Sequence, residues 1–325
     1  MARWFGALVG FGCLLGSTAV SAQIYPTRPV TVVVTAAAGG LTDLVARAIG
    51  QQLSETWGKP VVIENKGGAG HNIGAASVAR AAPDGYTLMV SESGTFVSNP
   101  FLYAKDKLPY DPEKDFAPIS GLAAYSQAVV AHPSLPVRSV EELIALAKSK
   151  PGEIDYGTAG IGSAPHMNMA LLENLAGIKL VPVHYRGAAP ALTDLMGGHI
   201  KLMSISMTLS LEPFRAGRIK MLGVGSRQRL PQAADVPTVA ESGLPGYEAA
   251  SWVGLFTTGG APAEIVMKIN SDVQRILSGS AFRERFLAPQ MLEPMAGSPD
   301  KLATDIRLES RKWLKVIREQ KLSIE

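Results

Sequence analysis

The sequence predicts an α/β fold of two domains flanking a cleft. Three observations carry this expectation. A β-α-β-α-β succession opens the chain after residue 22, the same succession restarts near residue 128, and the roughly 300 residues involved suffice for two such domains.

The β-branched run Val30–Val34 has the composition of a buried parallel strand. Gly39-Gly40 follow, and apolar residues at helical spacing predict a helix over residues 41–53. A short strand at 61–63, a glycine-rich loop at 66–70, a helix at 73–81 and a strand at 87–90 complete the first succession. The second begins with a strand at 128–131. Ser139 with Glu142 three residues on forms a capping box that starts a helix running to Ala147. Strands are predicted at 155–158, 179–184, 201–204 and 220–224, with helices from about Pro165 and over 188–196. A Pro/Gly-rich connection over 231–246 leads to a strand at 253–257 and helices at 263–278 and 299–319.

The N-terminus carries Arg3, then an uncharged apolar run over residues 4–19 that closes on Thr18-Ala19-Val20-Ser21-Ala22. This is the layout of a secretory signal, here residues 1–22 with cleavage after Ala22. The run is shorter than the roughly 20 apolar residues of a spanning helix. The single cysteine, Cys13, lies inside it, so the mature chain is expected to use neither disulfides nor cysteine-ligated zinc.

Composition excludes several function classes. The net charge of +3 is scattered without a basic run, and aromatic residues are only 6%, which argues against a nucleic-acid partner. The five histidines, at 71, 132, 166, 184 and 199, have no metal-ligand spacing, and neither H-E-x-x-H nor G-x-S-x-G occurs. The run Gly67-Gly68-Ala69-Gly70-His71-Asn72-Ile73-Gly74 fits a dinucleotide-binding turn poorly. No cofactor, metal or catalytic residue is expected, and an exported α/β enzyme is the weaker reading.

Several segments, in order, are Gly39-Gly40-Leu41-Thr42-Asp43, Glu64-Asn65-Lys66-Gly67-Gly68-Ala69-Gly70, Ala82-Pro83-Asp84-Gly85-Tyr86-Thr87-Leu88 and Asp115-Phe116-Ala117-Pro118-Ile119. Gly162-Ser163-Ala164-Pro165-His166, Gly187-Ala188-Ala189-Pro190-Ala191-Leu192 and Asp235-Val236-Pro237-Thr238 follow, then Gly243-Leu244-Pro245-Gly246-Tyr247. Each is weak alone. As an ordered set over the whole mature chain they resemble the substrate-binding proteins of tripartite tricarboxylate transporters, the Bug family. The resemblance implies a type II periplasmic binding protein fold, with residues 23–122 and 226–325 as a discontinuous first domain and 123–225 as the second. It implies a monomeric periplasmic receptor that closes over a small organic carboxylate (di-, tri- or aromatic) and delivers it to integral membrane subunits. A sensor for a signalling system is the alternative within the same fold.

A carboxylate held between two such domains calls for backbone N–H groups at glycine turns and helix N-termini. Ala38, Gly39, Gly40 and Thr42 form the first candidate turn. Thr158, Gly162 and Ser163 form the second, where Ser163 fits both a ligand contact and a plain N-cap. Family pattern adds Thr95, near the Asn99-Pro100 turn, and the aromatic Tyr185, beside Arg186. It also adds the segment Ser204-Ile205-Ser206. Two departures from the family bear on the ligand. Ala36 stands where an aromatic is common, and Ile205 where the family often carries Asp. Both remove bulk or charge, which points to a wider or more apolar carboxylate rather than an amino acid.

Overall fold

The computed structural model describes residues 1, 25–319 and 321–322. The expected signal sequence, Met1 apart, and its cut after Ala22 lie outside the described residues. The first elements are β1 (Val30–Val34), α1 (Leu41–Trp57), β2 (Val61–Asn65), α2 (Asn72–Ala79) and β3 (Thr87–Glu92). Two single turns, α3 (Gly94–Val97) and α4 (Asn99–Leu102), lead to the long strand β4 (Phe116–Ala131). Then come α5 (Val140–Ser149), β5 (Asp155–Thr158), α6 (Ala164–Ala176), β6 (Val181–His184), α7 (Ala188–Met196), β7 (Leu202–Ser206), α8 (Met207–Arg215) and β8 (Lys220–Val224). The chain ends with β9 (Ala250–Thr258), α9 (Ala263–Ser278), α10 (Ser280–Phe282), β10 (Glu293–Pro294) and α11 (Pro299–Glu319).

Local chemistry accounts for these elements. In β1 every residue but Thr31 is buried, because the strand lies between two parallel neighbours, β2 and β3. Val45, Ala46, Ile49 and Leu53 form the buried stripe of α1. That helix ends at Gly58, whose left-handed φ of 61° lets its N–H bond the Ser54 carbonyl. Outside the cleft, α5 has the expected cap, Ser139 Oγ accepting from the Glu142 amide at 3.2 Å.

Two sheets share one strand. In the first the order is β2-β1-β3-β9-β4, with β10 also on β4; in the second β4 lies between β7 and β8, and β5 and β6 continue beyond β7. Strand β4 pairs antiparallel with β9 from Phe116 to Ser126, then with β7 from Gln127 to Ala131. It therefore changes sheets between Ser126 and Gln127. Only its last four residues are predicted from sequence, because Pro118 and Gly121 read as strand breakers. Both are accommodated at register shifts against β9. The return passage lies beside the outgoing one. The Gly225 amide donates to the Gln127 carbonyl at 2.6 Å, Gln127 to Ala249 at 3.1 Å, and Ala249 back to Gly225 at 2.9 Å.

Helices cover both faces of both sheets. One buried cluster packs α1 and α9 on the first sheet, and a second packs α7 and α8 on the other. The third runs under both sheets from Trp313 of α11 to Met167 and Leu172 of α6. The carboxyl ends of β1, β3, β5 and β7 face one another across the space between the halves, where open α/β sheets carry their ligand sites.

Candidate ligand-binding cleft

A cavity between the halves is lined by Ala36, Gly40, Thr42, His71 and Glu92 from one side and by Ala159, Pro165, Gly187, Ala188 and Ser206 from the other. Tyr125 and Gln127 of the shared strand lie at its floor. Its volume is about 20 Å³, room for about one water. The halves are shut upon it. Their lips meet backbone to backbone: a Cβ built on Gly94 would lie 2.6 Å from the Gly162 carbonyl oxygen, and one on Gly70 1.9 Å from that of Ile161. Ser98 Oγ donates to the Gly162 carbonyl across the same seam at 2.6 Å. A larger groove of about 1220 Å³ lies elsewhere, between α11 and residues 100–118, and shares no residue with the cleft.

Five helices point their N-termini at the cavity. The N-caps of α1, α2, α7 and α8, namely Gly40, His71, Gly187 and Ser206, line it, and α6 contributes Pro165 of its first turn. None of the five N-caps makes a side-chain capping bond, in contrast to α5. Their first-turn amides have no partner within the helix. The partial positive charge of each terminus is thus directed into one small space. Among the lining residues there is no lysine or arginine.

The turn after β1 is held by Asp43. Its carboxylate accepts from the Gly39 amide at 2.9 Å, Arg47 Nε at 3.0 Å and Asn65 Nδ2 at 3.0 Å. Burial disfavours its ionised form, but the hydrogen bonds from Arg47, Gly39 and Asn65 outweigh this and hold the carboxyl below its ordinary range. Asp43→Ala is expected to lower stability by about 1–2 kcal/mol at neutral pH. Because the folded value is depressed, the contribution is complete above the unfolded value of about 4 and fades as the pH falls through the folded one. Urea melts of both proteins at pH 7 and pH 3 check this. An equal gap at the two pH values would refute it.

The second turn is also internally committed. Thr158 Oγ1 accepts from the Gly160 amide at 3.1 Å and pairs with His184 Nδ1 at 2.7 Å; Ser163 Oγ donates to the Gly160 carbonyl at 2.6 Å. The Gly162 amide donates to His166 Nδ1 at 3.2 Å. Burial, with His184 second, pushes His166 down to about 4, so this histidine is neutral near pH 7 and brings no positive charge.

The sequence profile of the tripartite tricarboxylate transporter family receptors matches residues 45–322. The chain belongs to this family. BugT of Bordetella pertussis is 33% identical over 300 residues, covering 92% of this chain and 91% of that protein. A solved structure of Rpa4515 from R. palustris with adipate superposes with a TM-score of 0.88 at 36% identity, covering 92% of this chain and 99% of that one. MatC from Rhodopseudomonas palustris with bound malate gives 0.85 at 35%, covering 90% and 100%. The periplasmic binding protein BugD gives 0.86 at 34%, covering 93% and 100%. The fold is therefore the two-lobed α/β fold of periplasmic binding proteins.

Against this family frame, the residues expected from sequence divide. Gly40, Thr42 and Ser206 line the cavity, as does Ala36. Ala38 and Gly39 are exposed on the turn and lie outside the lining, and the Gly39 amide is taken by Asp43. Thr158, Gly162 and Ser163 sit just behind the lining, spent on their own turn. Thr95 has its hydroxyl buried against Ser91 Oγ at 2.6 Å inside the first half. The Tyr185 hydroxyl donates to Asp194 Oδ2 at 2.7 Å, and its ring packs on the core beneath α7. Arg186 is exposed and outside the lining. Ser204 donates to Gln127 Oε1 at 2.9 Å, one layer behind the cavity. Ile205 lies away from the cavity. Strand β7 extends to Ser206, so alternation sends Ser206 to the cleft and Ile205 into the apolar core of the second half.

His71, Glu92, Tyr125 and Gln127 are lining residues that sequence reasoning missed. Thr42 Oγ1 donates to Glu92 Oε1 at 2.8 Å. Burial first, and the Glu92 carboxylate second, hold the Tyr125 hydroxyl well above its ordinary range, so it is a protonated donor. A signal for Glu92 was present: a carboxylate at the end of the buried strand Leu88-Met89-Val90 has no structural reason to be there.

Proposed function

We propose that this chain is a periplasmic receptor that captures a small organic carboxylate and presents it to the membrane subunits of a tripartite transporter. The observation that carries the proposal is the convergence of five helix N-termini without side-chain caps on one cavity. Such termini favour an anion, and free backbone amides bond a carboxylate without a cationic side chain. Family membership supports the role, as do relatives solved with adipate and malate. Among the described residues no helix is long and apolar enough to cross a membrane.

The halves act as two domains that open and shut on the ligand. We place the hinge where β4 changes sheets and where Gly225 returns beside it, close to the crossings at residues 123 and 226 expected from sequence. A cavity of about 20 Å³ must widen to admit a dicarboxylate, so ligand enters the open form.

A thermal-shift screen of aliphatic di- and tricarboxylates, hydroxy acids, amino acids and benzoate-type acids tests the role. A true ligand at a hundredfold its Kd adds about 2.7 kcal/mol, which raises Tm by roughly 4 °C in a protein of this size. Absence of any shift across the panel would overturn the receptor reading.

A further inference from the structure

We infer that Glu92 and His71 form an acceptor pair that selects carboxylates bearing a hydrogen-bond donor, a hydroxyl or an ammonium, beside the carboxylate. This rests on the receptor reading above and narrows it to a ligand class.

Both side chains are buried at the cavity, Glu92 9% exposed and His71 2%. His71 Nδ1 lies 3.0 Å from the Thr35 carbonyl oxygen, which can only accept, so Nδ1 carries the proton. In the neutral ring Nε2 is then an acceptor. It stands 3.6 Å from Glu92 Oε2, itself only an acceptor when ionised. Neither atom has a hydrogen-bond partner. With the ring neutral and the carboxylate ionised, two unpartnered acceptors face each other in a buried space, which is unfavourable for the protein alone. One N–H or O–H brought between them satisfies both.

The surroundings hold the pair in place. Thr42 Oγ1 donates to Glu92 Oε1, which fixes the carboxylate and leaves Oε2 towards His71. His71 is held with φ at 79°, at the end of a run in which Gly68, Ala69 and Gly70 are also left-handed. A non-glycine residue persists there only when its surroundings demand it, and such strain gathers at binding sites. Tyr125 can give Glu92 one more hydrogen bond but no charge. Ser206 Oγ, also unpartnered and lining the cavity, is available to the same ligand. The charge balance agrees. With the Glu92 carboxylate inside and no lysine or arginine in the lining, the helix N-termini are the positive charge that a bound acid meets, and each further carboxylate adds repulsion from Glu92. A single carboxylate on the helix N-termini, with a donor group on Glu92 and His71, leaves every group matched.

Isothermal titration calorimetry on the full mature protein tests this with matched acids: propionate, lactate and alanine; succinate, malate and aspartate; glutarate, 2-hydroxyglutarate and glutamate; and adipate and benzoate as donor-free references. The expected result is at least tenfold tighter binding of a hydroxy or amino acid than of its unsubstituted parent. Glu92→Gln should remove most of that advantage. A greater loss for the amino acid marks an ammonium as the natural donor; a greater loss for the hydroxy acid marks a hydroxyl. The melting temperature of unliganded Glu92→Gln should equal or exceed that of wild type, which shows that the variant folds. If a donor-free acid binds as tightly as its substituted partner, or Glu92→Gln leaves the preference intact, the inference falls while the receptor reading stands. A shared proton between the two side chains would give that result. If no acid binds, the receptor reading falls as well.

Discussion

Gly94→Val is expected to bind the best acid of the thermal-shift panel at least tenfold more weakly than wild type, with the unliganded protein melting within about 2 °C of it. Gly94 opens α3 with ordinary helical geometry, so the substitution strains no backbone of its own half. Its new side chain points across the seam. Even a single Cβ would stand 2.6 Å from the Gly162 carbonyl oxygen, and backbone cannot step aside as a side chain would. Relief comes by keeping the halves apart, and apparent affinity falls by the fraction of molecules able to shut. Small-angle scattering gives an independent reading: wild type contracts when saturated with ligand, and the variant does not. Unchanged affinity in Gly94→Val would mean that closure is not needed for binding.

The largest stability effect is expected at Gly225. Here a Cβ would lie 2.6 Å from Ala249 Cβ, 2.9 Å from the Ala249 carbonyl oxygen and 3.0 Å from that of Gln127. The residue is wedged between the two passages of the chain from one sheet to the other, and both are tied to it by backbone hydrogen bonds. Gly225→Val overpacks that crossing and is expected to cost about 2–3 kcal/mol. In a protein of this length that lowers Tm by roughly 3–5 °C, measured by circular dichroism. A melt within 1 °C of wild type would show that the passages separate freely and are not the hinge.

Much of the fold was legible because its physics is local. Buried parallel strands such as β1 are β-branched, and helices such as α9 and α11 keep an apolar stripe. What escaped was non-local. The first part of β4 hides behind Pro118 and Gly121, tolerated only because β9 shifts register beside them. Helix α8 carries Pro213 and did not read as a helix.

The site divides in the same way. Glycine turns are visible in the sequence, but which amides stay free depends on partners. Gly39 is taken by Asp43 and Gly162 by His166, while the amides at the N-termini of α1 and α7 are left available. The face taken by Ile205 depends on the period of a strand: with β7 ending at Ser204, the sequence leaves no basis for deciding which face the next residue takes. His71 and Glu92 come together from residues twenty-one apart, through a left-handed backbone that no composition signals.

The lips that meet through glycine have a kinetic consequence. Where Gly70 faces Ile161 and Gly94 faces Gly162, the contact is peptide against peptide. Parting these two contacts frees few rotamers, so they add little to the barrier. How long a bound acid stays is then set by its own hydrogen bonds inside, to the helix ends and to Glu92. Such a carrier holds its cargo by the cargo's chemistry, and lets go as soon as a docking partner competes for those few bonds.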